Sequence, residues 1–360
     1  MDDESAYLAA VLAAARVART FLEWMELVGE QLAPERAATL ASETEAHFGT
    51  AIAGARDLLR AQPPPALAPF AARFAEGFDD TTRAFELFAG YLQAPPAERI
   101  PRLLGSLHHL ARAQETFYLL RQPLAPFHGF WDLPGVAVDD RNGRPGDESQ
   151  PPTGIVHVSR GGHHGGFSLY VPESYTPQKA WPTIVALHGG SGNGRDFLWT
   201  WVREARSRNY LLVAPTAVGD TWGEEDDRGL LEILTWMSRN WRIDSDRILL
   251  TGLSDGGTFT LLYGLGHPTV YRALAPLCGV LHPANQVLGN LERARNKPIY
   301  LVHGALDFLF PIETARYARE VLQQAGAELV YREIAELSHT YPRSQNVCIL
   351  DWFEALPATA

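Results

Sequence analysis

Residues 247–265 read RILLTGLSDGGTFTLLYGL, and their interpretation decides the architecture of the second half of the chain. The aliphatic run Arg247–Thr251 suits a buried strand, and the stretch from Gly256 to Leu265 suits a buried helix. Between them Gly252, Ser254 and Gly256 form a G-x-S-x-G string, followed by Gly257. A strand that turns directly into a helix leaves no room for side chains beside the central residue, and glycines on both flanks supply that room. Ser254 then projects from the carboxyl end of its strand, where open α/β sheets place their chemistry. The bland reading is a glycine-rich turn without chemistry. A hydroxyl nucleophile needs more, namely a base and an acid to orient the base.

Working outward, the strand pattern Thr183–Leu187 runs into His188-Gly189-Gly190-Ser191-Gly192. Acyl transfer builds negative charge on a carbonyl oxygen, and fixed backbone N–H groups stabilise it. Gly190 and Asp255 are the candidate donors. A phosphate cradle fails on spacing, since neither G-x-G-x-x-G nor a Walker A lysine is present. Further on, Asp307 follows the strand pattern Ile299–Val302, and His339 follows Glu328–Glu333. Ser254, Asp307 and His339 thus all fall just beyond strand or helix patterns at one edge of the inferred sheet. Asp255 sits awkwardly beside a developing oxyanion, so its carboxylate is expected to turn away toward the helix N-terminus or a neighbouring loop. Ser191, Trp199 and Trp222 are substrate-pocket candidates, as is Trp201, although buried tryptophan is also ordinary packing. His188 and His303, each before a glycine at a strand end, are read as loop holders. His163 and His164 lie in a turn with too few companions for a metal site. His108 and His109 are assigned to packing or solvation of the helical half.

Around these motifs β-branched runs alternate with amphipathic stretches. Ile155–Ser159 and Phe167–Val171 flank a glycine-rich hairpin turn, and strands are predicted at Tyr210–Ala214 and Arg272–Pro276. Helices are predicted at Arg195–Ser207, Asp227–Asn240, Gly256–Leu265, Glu313–Ala325 and Ser344–Leu356. Such alternation implies a mostly parallel sheet covered by helices on both faces.

The first half differs. Proline clusters at residues 63–65 and 95–96 and Pro123 punctuate Ala/Leu/Arg-rich stretches, predicting four helices, Ser5–Leu32, Pro34–Arg60, Ala66–Leu92 and Ala97–Leu120, in an antiparallel bundle. Phe70, Phe74, Phe78, Phe85 and Phe88 fall on one helical arc and read as bundle core rather than a ligand stripe. In the first helix Leu8, Val11, Leu12 and Leu22 share one side and Val17, Phe21, Trp24 and Val28 the other. That predicts either a central place in the bundle or a homodimer contact. The domain reading is a helical bundle over 1–138 (a cap, a dimerisation element or a partner-binding unit), a polar linker over 139–154, and a catalytic domain over 155–360.

Composition narrows the function. A net charge of −11 argues against nucleic acid as a partner, and two cysteines build neither a disulfide framework nor a Cys-based zinc site. The apolar run Tyr7–Ala15 is short for a membrane span. It follows acidic residues where a secretory segment carries positive charge, so a cytoplasmic protein is expected.

LYVPESY, PTIVALHGGSGNGRDF, DDRGLLEILTWMSRNWRIDSDRILLTGLSDGG, LVHGALDFLFP and SHTYPRSQNVCILDWF, spanning about residues 167–353, together resemble the α/β-hydrolase superfamily. They are most similar to the serine esterase branch of polyhydroxybutyrate depolymerases and feruloyl esterases. Ser, Asp, His in that chain order is the order typical of α/β-hydrolases. The resemblance implies an α/β-hydrolase fold behind the helical bundle and hydrolysis of a small-molecule carboxylic ester. It implies Ser254 as nucleophile, His339 as base and Asp307 as acid, with oxyanion donors near Gly190 and Asp255, and no metal or cofactor. A thioesterase or peptidase on the same triad is the alternative, and a binding protein on a hydrolase scaffold a more distant one. One departure is plain: Ser338 stands where those esterases usually have glycine before the base.

Overall fold

The computed structural model describes residues 3–138, 151–159 and 165–357. It divides into two compact units, Met1–Trp131 and Asp132–Ala360. The histidine pair 163–164 and most of the expected linker lie outside the described residues.

The first unit contains α1 (Asp3–Gln31), α2 (Ala37–Leu58), α3 (Ala68–Ala89) and α4 (Pro96–Leu119). Each helix lies within two residues of its expected start or end, or three at most, because proline at residues 63–65 and 95–96 leaves no doubt where chains must stop. Phe74, Phe78, Phe85 and Phe88 of α3 are buried. Phe21 of α1 meets Phe48 of α2 and Phe85 of α3 edge-on at 5.4 and 6.1 Å, a geometry the ring quadrupole favours.

The two-sided reading of α1 needs correction. Its buried residues are Tyr7, Val11, Ala14, Ala15, Ala18, Phe21, Leu22, Met25 and Val28. At ~100° per residue they form one stripe roughly 140° wide that runs between the two expected faces. Its centre carries Tyr7, Ala14, Ala18 and Met25, with Val28 and Phe21 on one side and Val11, Leu22 and Ala15 on the other; Leu8, beyond its edge, is exposed. By length and composition α1 could also cross a membrane, a property that a buried core helix shares.

The second unit is built on an eight-stranded sheet: β1 (Gly154–Val158), β2 (Phe167–Val171), β3 (Trp181–Leu187), β4 (Leu211–Pro215), β5 (Ile243–Leu253), β6 (Ala273–Leu277), β7 (Pro298–Gly304) and β8 (Glu328–Ile334). Their spatial order is β1-β2-β4-β3-β5-β6-β7-β8. β1 and β2 form the expected hairpin, β2 pairs antiparallel with β4, and all later pairings are parallel. Helices α5 (Gly194–Phe197), α6 (Val202–Arg208), α7 (Glu224–Asn240), α8 (Asp255–Gly266), α9 (Ala284–Val287) and α10 (Ile312–Gln324) connect the strands, and α11 (Gln345–Glu354) follows β8. β2, β4 and β6 are buried throughout, as continuous apolar runs in a covered sheet must be. Each such Leu, Ile or Val contributes about 1.5–3 kcal/mol by leaving water.

The single helix expected at Arg195–Ser207 is two short helices, α5 and α6, joined by a 3-10 turn at Leu198–Thr200. Trp199 and Trp201 are both buried, and residues two apart point to opposite sides of a regular helix. The break lets both rings face the interior. Arg206 on α6 is buried as well, paired with Glu173 at 2.8 Å and Asp132 at 2.7 Å. Removal of one partner from such a group leaves an uncompensated buried charge.

Register positions the chemistry. Leu187 of β3 lies level with Gly252 of β5, and Leu253 with Leu277 of β6. Because β3, β5, β7 and β8 are parallel, the loops that follow them leave from one end of the sheet. That end carries His188–Gly192, Ser254, Asp307 and His339.

Candidate active site

Ser254 joins β5 to α8 with φ 57° and ψ −115°, a region that costs a non-glycine residue of order 1–3 kcal/mol. Neighbouring glycines make the turn possible. A methyl group at Gly252 would fall 2.5 Å from the Gly256 backbone, and one at Gly256 would fall 2.4 Å from the Leu187 carbonyl oxygen. The Ser254 N–H donates to the Leu277 carbonyl at 2.8 Å, which fixes the turn to β6.

Ser254 Oγ lies 2.8 Å from His339 Nε2, and His339 Nδ1 lies 2.8 Å from Asp307 Oδ2. Asp307 Oδ1 accepts the N–H groups of Leu309 at 2.9 Å and Phe310 at 2.7 Å. The Asp307 side chain is fully buried, while that of His339 keeps 12% exposure, so only the imidazole end opens to solvent. Burial pushes the Asp307 carboxyl up. The His339 hydrogen bond, the Phe310 N–H and the nearby His339 and His303 rings outweigh it, and the net direction is downward. The carboxylate therefore stays charged. With Asp307 accepting at Nδ1, the neutral ring carries its proton there and turns its Nε2 lone pair toward the serine.

Beside this line runs the turn after β3. Ser191, at φ 56°, donates its N–H to the Asp220 carbonyl at 2.6 Å, and Gly192 donates to the Gly189 carbonyl at 3.1 Å. Those two donors are engaged; the Gly190 N–H is not among them. The Asp255 N–H, in the first turn of α8, has no intrahelical acceptor. A Cβ built at Gly190 would stand 4.0 Å from Asp255 Cβ, so the two candidate donors lie on adjoining backbone. His188 Nε2 accepts the Ala217 N–H at 3.0 Å and Nδ1 meets the Gly189 carbonyl at 2.6 Å. Burial lowers its pKa and keeps the ring neutral, which suits a loop holder. His303 is likewise committed, with Nε2 at 2.8 Å from the Phe310 carbonyl.

The Asp255 carboxylate turns to the loop after β4, where Oδ2 accepts the Trp222 N–H at 2.8 Å. Burial pushes this carboxyl up against that hydrogen bond. Trp222 is 7% exposed, its indole N–H donates to the His188 carbonyl at 2.8 Å, and its ring stacks on Phe259 at 5.8 Å. Trp199 is 2% exposed. Both are packed side chains rather than open pocket walls, whereas Ser191 is exposed. Ser338, in place of glycine, donates Oγ–H to the Leu306 carbonyl at 3.2 Å and so joins the base loop to the acid loop. The Asp255–Trp222 and Ser338–Leu306 links were not read from sequence; the out-of-pattern Asp255 and Ser338 were the available signals. Among the described residues no cluster of His, Cys, Asp and Glu suits a metal ion.

Residues 228–351 match the family model for phospholipase/carboxylesterase. The chain is similar to a bifunctional acetylxylan esterase/xylanase, XynS20E, from Neocallimastix patriciarum, with 28% identity over 146 residues, or 39% of this chain and 21% of that one. It is similar to acyl-protein thioesterase 1 from Mycosarcoma maydis, with 28% identity over 143 residues, or 35% of this chain and 58% of that one. The chain thus spans under three-fifths of either curated relative. Among solved structures, a thermostable esterase superposes with a TM-score of 0.47 at 20% identity, covering 56% of this chain and 62% of that one. The strand order is that of the α/β-hydrolase fold, and the family match falls within the second unit.

Proposed function

We propose that this protein hydrolyses carboxylic esters of small molecules through an acyl-enzyme on Ser254. The observation that carries the reading is the unbroken line from Ser254 Oγ to His339 to Asp307, with both links at 2.8 Å. As Oγ attacks the carbonyl carbon, its proton passes to His339 Nε2 and the C=O electron pair moves onto oxygen. The Gly190 and Asp255 N–H groups stabilise that oxyanion, helped by the positive end of α8. Collapse expels the alkoxide, which takes the proton from Nε2. Water then repeats the sequence on the acyl-serine, with its proton going to Nε2 and finally to the departing Ser254 oxygen. Asp307 holds the imidazole tautomer and stabilises the imidazolium.

An ester with an apolar group suits the rim. Leu306, Phe308 and Leu309 are 52%, 60% and 53% exposed, and the Phe308 ring lies 6.3 Å from His339. Thioester cleavage is the second reading, favoured by the similarity to an acyl-protein thioesterase. A fluorophosphonate probe followed by peptide mass spectrometry is expected to label Ser254. Labelling elsewhere, or none, overturns the nucleophile. Paired p-nitrophenyl ester and acyl thioester substrates of equal chain length then rank the two readings by kcat/KM.

A further inference from the structure

The residue after the nucleophile does a second thing with its side chain. We infer that Asp255, through Trp222, is a positioning residue that holds the oxyanion turn in register with Ser254. This rests on the reading of Gly190 and Asp255 as oxyanion donors.

Three segments distant in sequence meet at Gly190. The elbow contributes Asp255, the β4–α7 loop contributes residues 220–222, and the β3 turn contributes His188–Ser191. Asp255 Oδ2 accepts the Trp222 N–H at 2.8 Å. The Trp222 indole N–H donates to the His188 carbonyl at 2.8 Å, and two residues back the Asp220 carbonyl accepts the Ser191 N–H at 2.6 Å. The circuit is closed, because Asp255 begins and Ser191 ends on either side of the same oxyanion position. A Cβ built at Gly190 would lie 4.0 Å from both the Asp220 carbonyl oxygen and Asp255 Cβ, which locates the turn between the two ends of the clamp.

Packing leaves the Trp222 ring little freedom. It lies between His188, with centroids 4.7 Å apart, and Phe259, one helical turn beyond Asp255, at 5.8 Å. The loop carrying it is closed by Asp226, whose carboxylate accepts the Val218 and Gly223 N–H groups at 2.9 Å each. Ser191 needs that restraint, since φ of 56° is a conformation non-glycine residues leave readily when unsupported. A carboxylate beside the nucleophile would by charge oppose oxyanion formation. Here it serves as an acceptor aimed at the loop, and the acceptor oxygen survives in asparagine.

The test compares wild type, Asp255→Ala and Asp255→Asn on p-nitrophenyl acetate, with rates normalised by active-site titration. Asp255→Ala keeps its backbone N–H but frees the Trp222 loop. Its kcat is expected to fall about 100- to 1,000-fold, the scale of a lost oxyanion donor, with KM within about threefold. Affinity for an aryl boronic acid that mimics the tetrahedral state should fall by a similar factor. Asp255→Asn should stay within about fivefold of wild type. Amide exchange in the peptide covering residues 188–194 should quicken in the alanine variant and not in the asparagine variant. Unchanged or raised kcat per active site in Asp255→Ala, or equal losses in the two variants, overturns the inference. Should wild type cleave no ester, the proposed activity fails by itself. The exchange measurement then decides this inference alone, and unaltered protection of residues 188–194 overturns it.

Discussion

His339 Nδ1 and Asp307 Oδ2 stand 2.8 Å apart at the inner end of a line whose outer end is Ser254. Asp307 is held from three directions, by His339 and by the N–H groups of Leu309 and Phe310. Replacement by asparagine keeps the shape and reverses the logic, since an amide can donate to Nδ1 and select the wrong tautomer. Asp307→Asn is expected to lower kcat on p-nitrophenyl esters by ~10³–10⁴-fold. A loss under tenfold would show that the imidazole does not depend on this carboxylate.

The same carboxyl links stability to pH. Its value is held below the ordinary range in the folded chain, so its contribution is complete above the unfolded value near ~4 and is lost as pH falls through the folded value. Wild type is therefore expected to lose more stability than Asp307→Asn between about pH 5 and about pH 3. Urea midpoints at the two pH values measure it, and parallel declines would remove Asp307 from the acid response.

Ser254 carries a conformational cost at φ 57° and ψ −115° that glycine tolerates. Both Ser254→Ala and Ser254→Gly should reduce ester hydrolysis by at least ~10³-fold. In thermal unfolding the glycine variant should be the more stable of the two, by on the order of 1 kcal/mol after the glycine entropy term. An alanine variant as stable as the glycine variant would mean that the elbow stores no strain.

Gly256 is a different case, because its space rather than its dihedral is the constraint. A methyl group there would lie 2.4 Å from the Leu187 carbonyl oxygen and 2.5 Å from that of His188. Backbone cannot yield as a side-chain tip does, so Gly256→Ala should destabilise the fold by ~2 kcal/mol or more. It should also displace His188–Gly190. Calorimetry with kcat on the remaining folded fraction measures both, and full stability with full activity would contradict the packing.

Several elements were legible in the residues. The strand–turn–helix at 247–265 and the alternating β/α order follow from periodicity and glycine placement, which are properties of neighbours along the chain. Asp307 and His339 could be named because each trails a strand pattern, and parallel strands send such loops to one end. The helix expected at 195–207 is broken because its apolar residues Phe197–Trp199 and Trp201–Val202 cluster on both sides of Thr200, and periodicity says nothing of a break there that leaves both Trp199 and Trp201 buried. In α1 the buried stripe runs between the two apolar faces through Ala14 and Ala18, because small side chains carry little hydrophobic weight in a periodic pattern even where they are fully buried.

From the amino-acid order alone came the sheet-and-helix class, the helical unit before it and the choice of Ser254, Asp307 and His339, which the fold brings into one hydrogen-bonded line. Local backbone preferences and side-chain periodicity act within a few residues, and those suffice for such assignments. Folding in three dimensions settled where the Asp255 carboxylate points, which loop donates to it, and that the Trp222 ring is buried. Those outcomes join residues 33 positions apart. Hydrogen bonds across that separation depend on the path of two loops, which no local pattern encodes.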